Sequence, residues 1–166
     1  KGVLLRDREE YLTDLLGDRA VSFIQKNKAR PFVCYLPFNA IHGPFQAPQD
    51  LYDKYASEKD HARRLNLAMI DSLDQNVGKV LDALDTLSLT DDTLVVFLSD
   101  NGGHEASRNE PLRGKKGTYW EGGLRVPFCL KWPARLKPGQ VFRKAVISLD
   151  LLPTCVRAAG GKIEPA

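Results

Sequence analysis

The sequence predicts an α/β fold, a mostly parallel sheet with helices on both faces. Three observations predict it. Short apolar runs rich in β-branched and aromatic residues alternate with longer amphipathic stretches. The apolar runs stop abruptly at turns built from Gly, Pro, Asp and Asn. The chain, at 166 residues and 43% hydrophobic, has enough apolar material for one packed core. Strands alternating with long helices are the pattern of a parallel sheet, because each parallel crossover requires a long connection.

Taken in order, Tyr11 to Lys26 carries Leu12, Leu15, Leu16, Ala20, Val21, Phe23 and Ile24 at helical spacing, with Gly17 as its weak point. Pro31 then opens Phe32-Val33-Cys34-Tyr35-Leu36, whose length and composition suit a central strand buried on both faces. Asn39 to Pro48, with Gly43, Pro44 and Pro48, reads as a loop directly after that strand. From about His61 to Leu87, apolar residues from Leu65 to Leu87 advance in steps of four and three, the stripe of a long helix. Thr93 to Leu98 is a second strand, ending at Ser99-Asp100-Asn101-Gly102-Gly103, and residues 103–123 form a long loop rich in Gly and charge. Val126 to Trp132 and Val141 to Ile147 read as further strands. Asp150 with Pro153 in the first turn opens a last helix that stops at Gly160.

Composition excludes several function classes. The 24 Lys and Arg are spread along the chain against 21 Asp and Glu, so the formal charge of +3 marks no nucleic-acid surface. No apolar run is long enough to span a bilayer. Cys34, Cys129 and Cys155 lie in apolar surroundings without a C-x-x-C spacing, and are expected as buried free thiols rather than a disulfide framework or a zinc site. The first residue, Lys1, suggests a piece of a longer protein.

In sheets of this class, sites gather at the carboxyl ends of strands, and two loops follow strand ends directly. Asp100 and Asn101 offer a carboxylate and an amide oxygen, the ligand type of hard cations, beside glycines that allow close approach. Taken alone, the same residues also fit a plain Asp-Asn-Gly turn. Arg113-Gly114-Lys115-Lys116-Gly117 followed by Trp120-Glu121-Gly122-Gly123 places ammonium groups and exposed backbone donors where an anion could sit, although a solvated basic loop reads similarly. His42, between Ile41 and Gly43-Pro44, is a proton donor near neutral pH after a strand end, or a structural histidine.

The ordered set of Ile41-His42-Gly43-Pro44-Phe45-Gln46-Ala47-Pro48, Leu98-Ser99-Asp100-Asn101-Gly102, and Pro111 to Gly117 running into Trp120 to Gly123 resembles the arylsulfatase family, the type I sulfatases of the alkaline-phosphatase-like superfamily. The resemblance extends from about Tyr11 to Gly160. It implies that residues 1–166 are the carboxyl-side part of a catalytic domain, and that the fold is an incomplete α/β domain. It further implies that Asp100 and Asn101 bind one divalent cation, usually calcium, and that Lys116 and His42 contact the sulfate, His42 also helping to protonate the leaving alcohol. The implied reaction is displacement at sulfur of a sulfate ester, aryl or carbohydrate, by a hydrated formylglycine.

The family makes that nucleophile in a C/S-x-P-x-R segment, and neither Cys34, Cys129 nor Cys155 stands in one. The paired metal aspartates of the family's amino-terminal strand are also missing, so the chain alone is expected to be inactive, with a missing amino-terminal part as its partner. Two other classes fit the same residues: a non-catalytic anion-binding module of the same fold, and a phosphoryl-transfer relative. The second would need more His and Asp ligands than His61 and His104 supply. The resemblance favours an extracytoplasmic compartment.

Overall fold

The computed structural model describes residues 3–5, 11–104 and 106–163. In chain order they form β1 (Val3–Leu5), α1 (Leu12–Asn27), β2 (Gln46–Pro48), α2 (Gln49–Lys54), α3 (His61–Thr86), β3 (Val95–Leu98), α4 (Glu121–Leu124), β4 (Phe128–Lys131) and α5 (Leu151–Ala158).

The expected parallel sheet is overturned. Among the described residues, helices dominate, and the four strands are three or four residues long and form two separate pairs. β1 and β2 run parallel with Val3 opposite Gln46, while β3 and β4 run antiparallel with Val95 opposite Lys131. The physical reason lies in what an apolar run encodes. It records that two faces want cover, but a ladder also needs a neighbouring backbone. Phe32–Leu36 is outside any strand, with Val33 and Tyr35 each 87% exposed. Val141–Ile147 is irregular and exposed in the same way, with Val141 at 73%.

The helices follow their periodicity closely. In α3, Asp60 caps the amino end by accepting a hydrogen bond from the Arg63 amide at 2.7 Å. Its apolar stripe buries Leu65, Ala68, Met69 and Leu84. α1 packs on α3 through a polar contact: Asp14 Oδ1 accepts from Asn76 Nδ2 at 2.6 Å and from Ser72 Oγ at 3.2 Å, all three residues buried. Gly17, the weak point of α1 by propensity, is where Asn76 enters; a Cβ there would lie 2.8 Å from Asn76 Cγ. The glycine is thus a packing choice, since it admits the side chain that satisfies Asp14.

The core that matters for the site joins α3 to the stretch before and within α2. Ala47, Leu51, Leu65, Ala68 and Met69 are buried together, with Ile41, Phe45, Tyr52 and Tyr55 packed against them. Ile41 and Phe45 flank His42, so the loop bearing the histidine is pinned to the core on both sides. Tyr11 adds a tie from the start of α1 by donating to the Gln46 carbonyl at 2.9 Å. Lys54 and Tyr55 at the end of α2 donate to the Asp71 carboxylate, fastening α2 to α3, and Gln75 of α3 donates to the same carboxylate.

Cys34, Cys129 and Cys155 are free, as expected, but they are exposed rather than buried. Their apolar neighbours belong to Phe32–Leu36, to the outer face of β4 and to α5, none of which is covered. No helix among the described residues is long and apolar enough to cross a membrane.

Candidate active site

β3 ends at Leu98, and the chain turns through Ser99 to Gly103. Ser99 Oγ donates to the Asn101 carbonyl at 2.9 Å, and the Asn101 side-chain amide donates to Asp100 Oδ2 at 2.6 Å. That bond aims the amide nitrogen of Asn101 at the carboxylate, and Oδ1 of each residue has no hydrogen-bond partner among the described residues. One turn therefore carries two hard side-chain oxygens, on an exposed Asp100 and a half-buried Asn101. Their type is that of a calcium ligand, and calcium takes six to eight oxygens, more than this turn offers. No cluster of three or more His, Cys, Asp or Glu able to hold a metal exists among the described residues.

The turn is locked onto the glycine-rich segment by backbone alone. The Gly102 amide donates to the Gly123 carbonyl at 3.0 Å, and the Ser99 amide to the Pro127 carbonyl at 3.3 Å. The Gly122 amide donates to the Arg113 carbonyl at 2.7 Å. A Cβ on Gly102 would overlap the Gly122 carbonyl oxygen, and one on Gly123 would stand 2.7 Å from the Lys115 carbonyl oxygen. Glycine is required at both positions because three main-chain segments, residues 99–103, 113–118 and 120–124, meet with no room for a side chain between them.

This junction sets the place of the lysines. Lys116 is half-buried, its amide donates to the Gly103 carbonyl at 3.0 Å, and its ammonium makes no ion pair among the described residues. Lys115 is held by the Thr118 hydroxyl, which accepts from the Lys115 amide at 3.1 Å and donates to its carbonyl at 2.7 Å. Trp120 is 51% exposed and carries the Arg113 guanidinium 3.8 Å over its ring, so it packs against the loop's own cation.

The His42 loop reaches the same region through an aromatic contact. The Phe45 ring stacks on His104 with centroids 5.2 Å apart and planes at 9°. Phe45 lies three residues after His42, and His104 three after Asn101. His42 is exposed, and its Nδ1 lies 2.7 Å from the Gly43 carbonyl oxygen. A carbonyl only accepts, so Nδ1 carries a proton and Nε2 is the nitrogen left to face a ligand.

The structure thus joins the Asp100–Asn101 turn to the Lys116 segment by hydrogen bonds and to the His42 loop by one ring stack. His61, by contrast, is spent on Tyr52, whose hydroxyl contacts Nδ1 at 2.8 Å. Glu105 lies outside the described residues. Sequence reasoning missed Asn109. Its Oδ1 accepts from the Gly103 amide at 3.0 Å and its Nδ2 donates to the Gly103 carbonyl at 2.9 Å. An asparagine in a polar loop carries no sequence signal for that role beyond its general liking for backbone partners.

The family model for sulfatases matches residues 3–161. The chain belongs to the sulfatase family. Its motifs are those of the type I, formylglycine-dependent arylsulfatases of the alkaline-phosphatase-like superfamily. A sulfatase from Formosa agariphila is 39% identical over 96% of this chain and 32% of its own length. The steryl-sulfatase of Mus musculus is 36% identical over 92% of this chain and 25% of its own. The crystal structure of Ps i-CgsB in complex with k-i-k-neocarrahexaose superposes with a TM-score of 0.89 at 40% identity, covering 93% of this chain and 35% of that one. The backbone described above therefore superposes closely on part of that crystallised protein. The chain spans about a third or less of the length of these relatives.

Proposed function

We propose that this chain is the carboxyl-side part of the catalytic domain of a sulfuric ester hydrolase, and that it supplies Asp100 and Asn101 to a calcium ion and Lys116 and His42 to the sulfate. One observation carries the assignment: the backbone junction that holds the Asp100–Asn101 turn against the Lys116 segment. It fixes oxygen ligands and an ammonium group on adjoining loops, as a site for a metal-bound anion requires.

When bound, calcium would polarise a sulfate oxygen, and a formylglycine, absent from this chain, would provide the nucleophile. This chain's own groups act on the ester. The Lys116 ammonium, without an internal counter-ion, neutralises charge on the sulfate oxygens. His42, as an imidazolium whose Nδ1–H is committed to the Gly43 carbonyl, presents Nε2–H to the departing alcohol oxygen, and that proton passes to the oxygen as the S–O bond breaks, leaving a neutral imidazole. The half-buried setting of Lys116 limits water around the anion and strengthens its hold.

Likeness to Ps i-CgsB, crystallised in complex with k-i-k-neocarrahexaose, favours a carbohydrate sulfate over an aryl sulfate as substrate. Residence outside the cytoplasm fits both calcium and the family. The test is hydrolysis of carbohydrate and aryl sulfates, with calcium, by the full-length protein after formylglycine maturation. Activity lost on Asp100→Ala and on Lys116→Ala supports the reading; a matured enzyme silent on both ester classes refutes it.

A further inference from the structure

Gly103 is the point where the proposed metal turn and the Lys116 segment are held together, and Asn109 grips it from the side. The Gly103 amide donates to Asn109 Oδ1, the Asn109 side-chain amide donates to the Gly103 carbonyl, and the same carbonyl accepts from the Lys116 amide. All three bonds lie between 2.9 and 3.0 Å. A primary amide here imitates a neighbouring strand, closing a two-point ring on one residue's backbone.

The grip is itself anchored. The Leu112 amide donates to the Asn109 carbonyl at 2.9 Å, fixing the start of the segment that leads to Lys116. Arg63 of α3 donates to the Ala106 carbonyl at 2.9 Å, so the stretch that carries Asn109 rests on the long helix. Space is tight as well: a Cβ on Gly103 would lie 3.0 Å from both Asn109 Oδ1 and Ser107 Oγ.

Resting on the sulfatase reading above, we infer that Asn109 is a positioning residue that sets the separation of the Asp100–Asn101 turn from Lys116. It touches neither cation nor sulfate. It acts through Gly103, whose amide and carbonyl connect the two loops. A displaced lysine or metal ligand matters more for the transition state than for the ground state, because charge on the leaving oxygen develops only as the bond breaks.

The experiment uses the full-length matured enzyme and Asn109→Ala, Asn109→Asp and Arg108→Ala variants. Arg108 is the exposed neighbour and serves as control. kcat and KM are measured on a sulfate ester, and calcium affinity is read independently as the calcium concentration giving half-maximal thermal stabilisation. Asn109→Ala is expected to lower kcat by about 10- to 100-fold with little change in KM, and to raise the calcium requirement several-fold. Asn109→Asp, which keeps the acceptor but not the donor, falls between, and decides the question if the alanine variant does not fold. Arg108→Ala matches wild type. The inference is overturned if the folded Asn109 variants retain wild-type kcat and calcium affinity, or if their lost activity equals the unfolded fraction measured by circular dichroism. Should the wild type hydrolyse no sulfate ester, the sulfatase reading fails by itself, and the calcium measurement still decides whether Asn109 holds the turn.

Discussion

Replacing Gly102 with alanine adds one methyl group at the junction between the Asp100–Asn101 turn and α4. Besides overlapping the Gly122 carbonyl oxygen, that methyl would stand 2.8 Å from the Gly122 carbonyl carbon and 2.9 Å from the Gly123 Cα. Carbon atoms attract one another only from roughly 3.5 Å outward, and all three neighbours are backbone, so none can rotate away. The segments must part, which costs about 1–3 kcal/mol for an overfilled contact. Parting also removes the 3.0 Å bond from the Gly102 amide to the Gly123 carbonyl, a further loss of about 1 kcal/mol. The total comes to roughly 2–4 kcal/mol. If the turn relieves about 1.4 kcal/mol of this by shifting, calcium binds tenfold more weakly.

The assay is urea denaturation of the full-length protein with and without calcium, beside a calcium titration. Gly78→Ala is the internal control. It makes the same chemical change on α3, where nothing lies within 4 Å of the added carbon, and should stabilise by about 0.5–1 kcal/mol through helix propensity. A Gly102→Ala protein with wild-type stability and calcium affinity would refute the claim that backbone contact at this junction holds the Asp100–Asn101 turn.

Gly17→Ala raises the helix propensity of α1 by about 1 kcal/mol yet should destabilise by about 1–3 kcal/mol, because its methyl meets Asn76 at 2.8 Å; a urea midpoint at or above wild type would oppose this. Burial works against the charge of Asp71, but hydrogen bonds from Lys54, Gln75 and Tyr55 outweigh it and leave the carboxyl below its ordinary value. A depressed folded pKa gives stability that is complete above the unfolded value of about 3.9 and is lost as pH falls through the folded value. Asp71→Asn should therefore destabilise at pH 7, by about 1–3 kcal/mol for hydrogen bonds to a charged acceptor, and the difference from wild type should shrink as pH falls below the unfolded value toward the depressed folded one. Thermal denaturation across pH checks both the sign and the window. Exposed Val33 and Tyr35 should make the 166-residue chain self-associate, and Val33→Lys with Tyr35→Lys should shift it toward monomer in light scattering.

Much of the helical framework was legible in the residues. The apolar stripe from Leu65 marks α3 because that signal is local, while the Asp60 cap emerged only with the structure. β3, β4 and α5 were found within one or two residues for the same reason, but their pairing was not. β3 and β4 are antiparallel, and Phe32–Leu36 pairs with nothing among the described residues. Ladder formation depends on distant chain, which an apolar run does not record. β2 and α2 were hidden by Pro44 and Pro48, which punctuate the sequence; Pro48 ends β2 directly before α2.

The motifs around His42, Asp100 and Lys116 were readable as chemistry, and the structure links the loops that bear them. What joins them was not readable. Phe45 stacking on His104 and Asn109 gripping Gly103 are contacts between ordinary loop residues, whose side-chain type leaves the partner open.

The glycine junction also has a meaning for anyone recombining sulfatases. Segments 99–103, 113–118 and 120–124 interlock through main chain, so a chimera that takes one of them from a homologue inherits a mismatch no side-chain repacking can absorb. They form one cassette, to be exchanged whole or not at all. The stretch from 106 to 112 loops out of that cassette and is tied back through Asn109 and Ala106. Length and composition can vary there while those two ties are kept, which makes it the place to diversify a library without disturbing the proposed ligands.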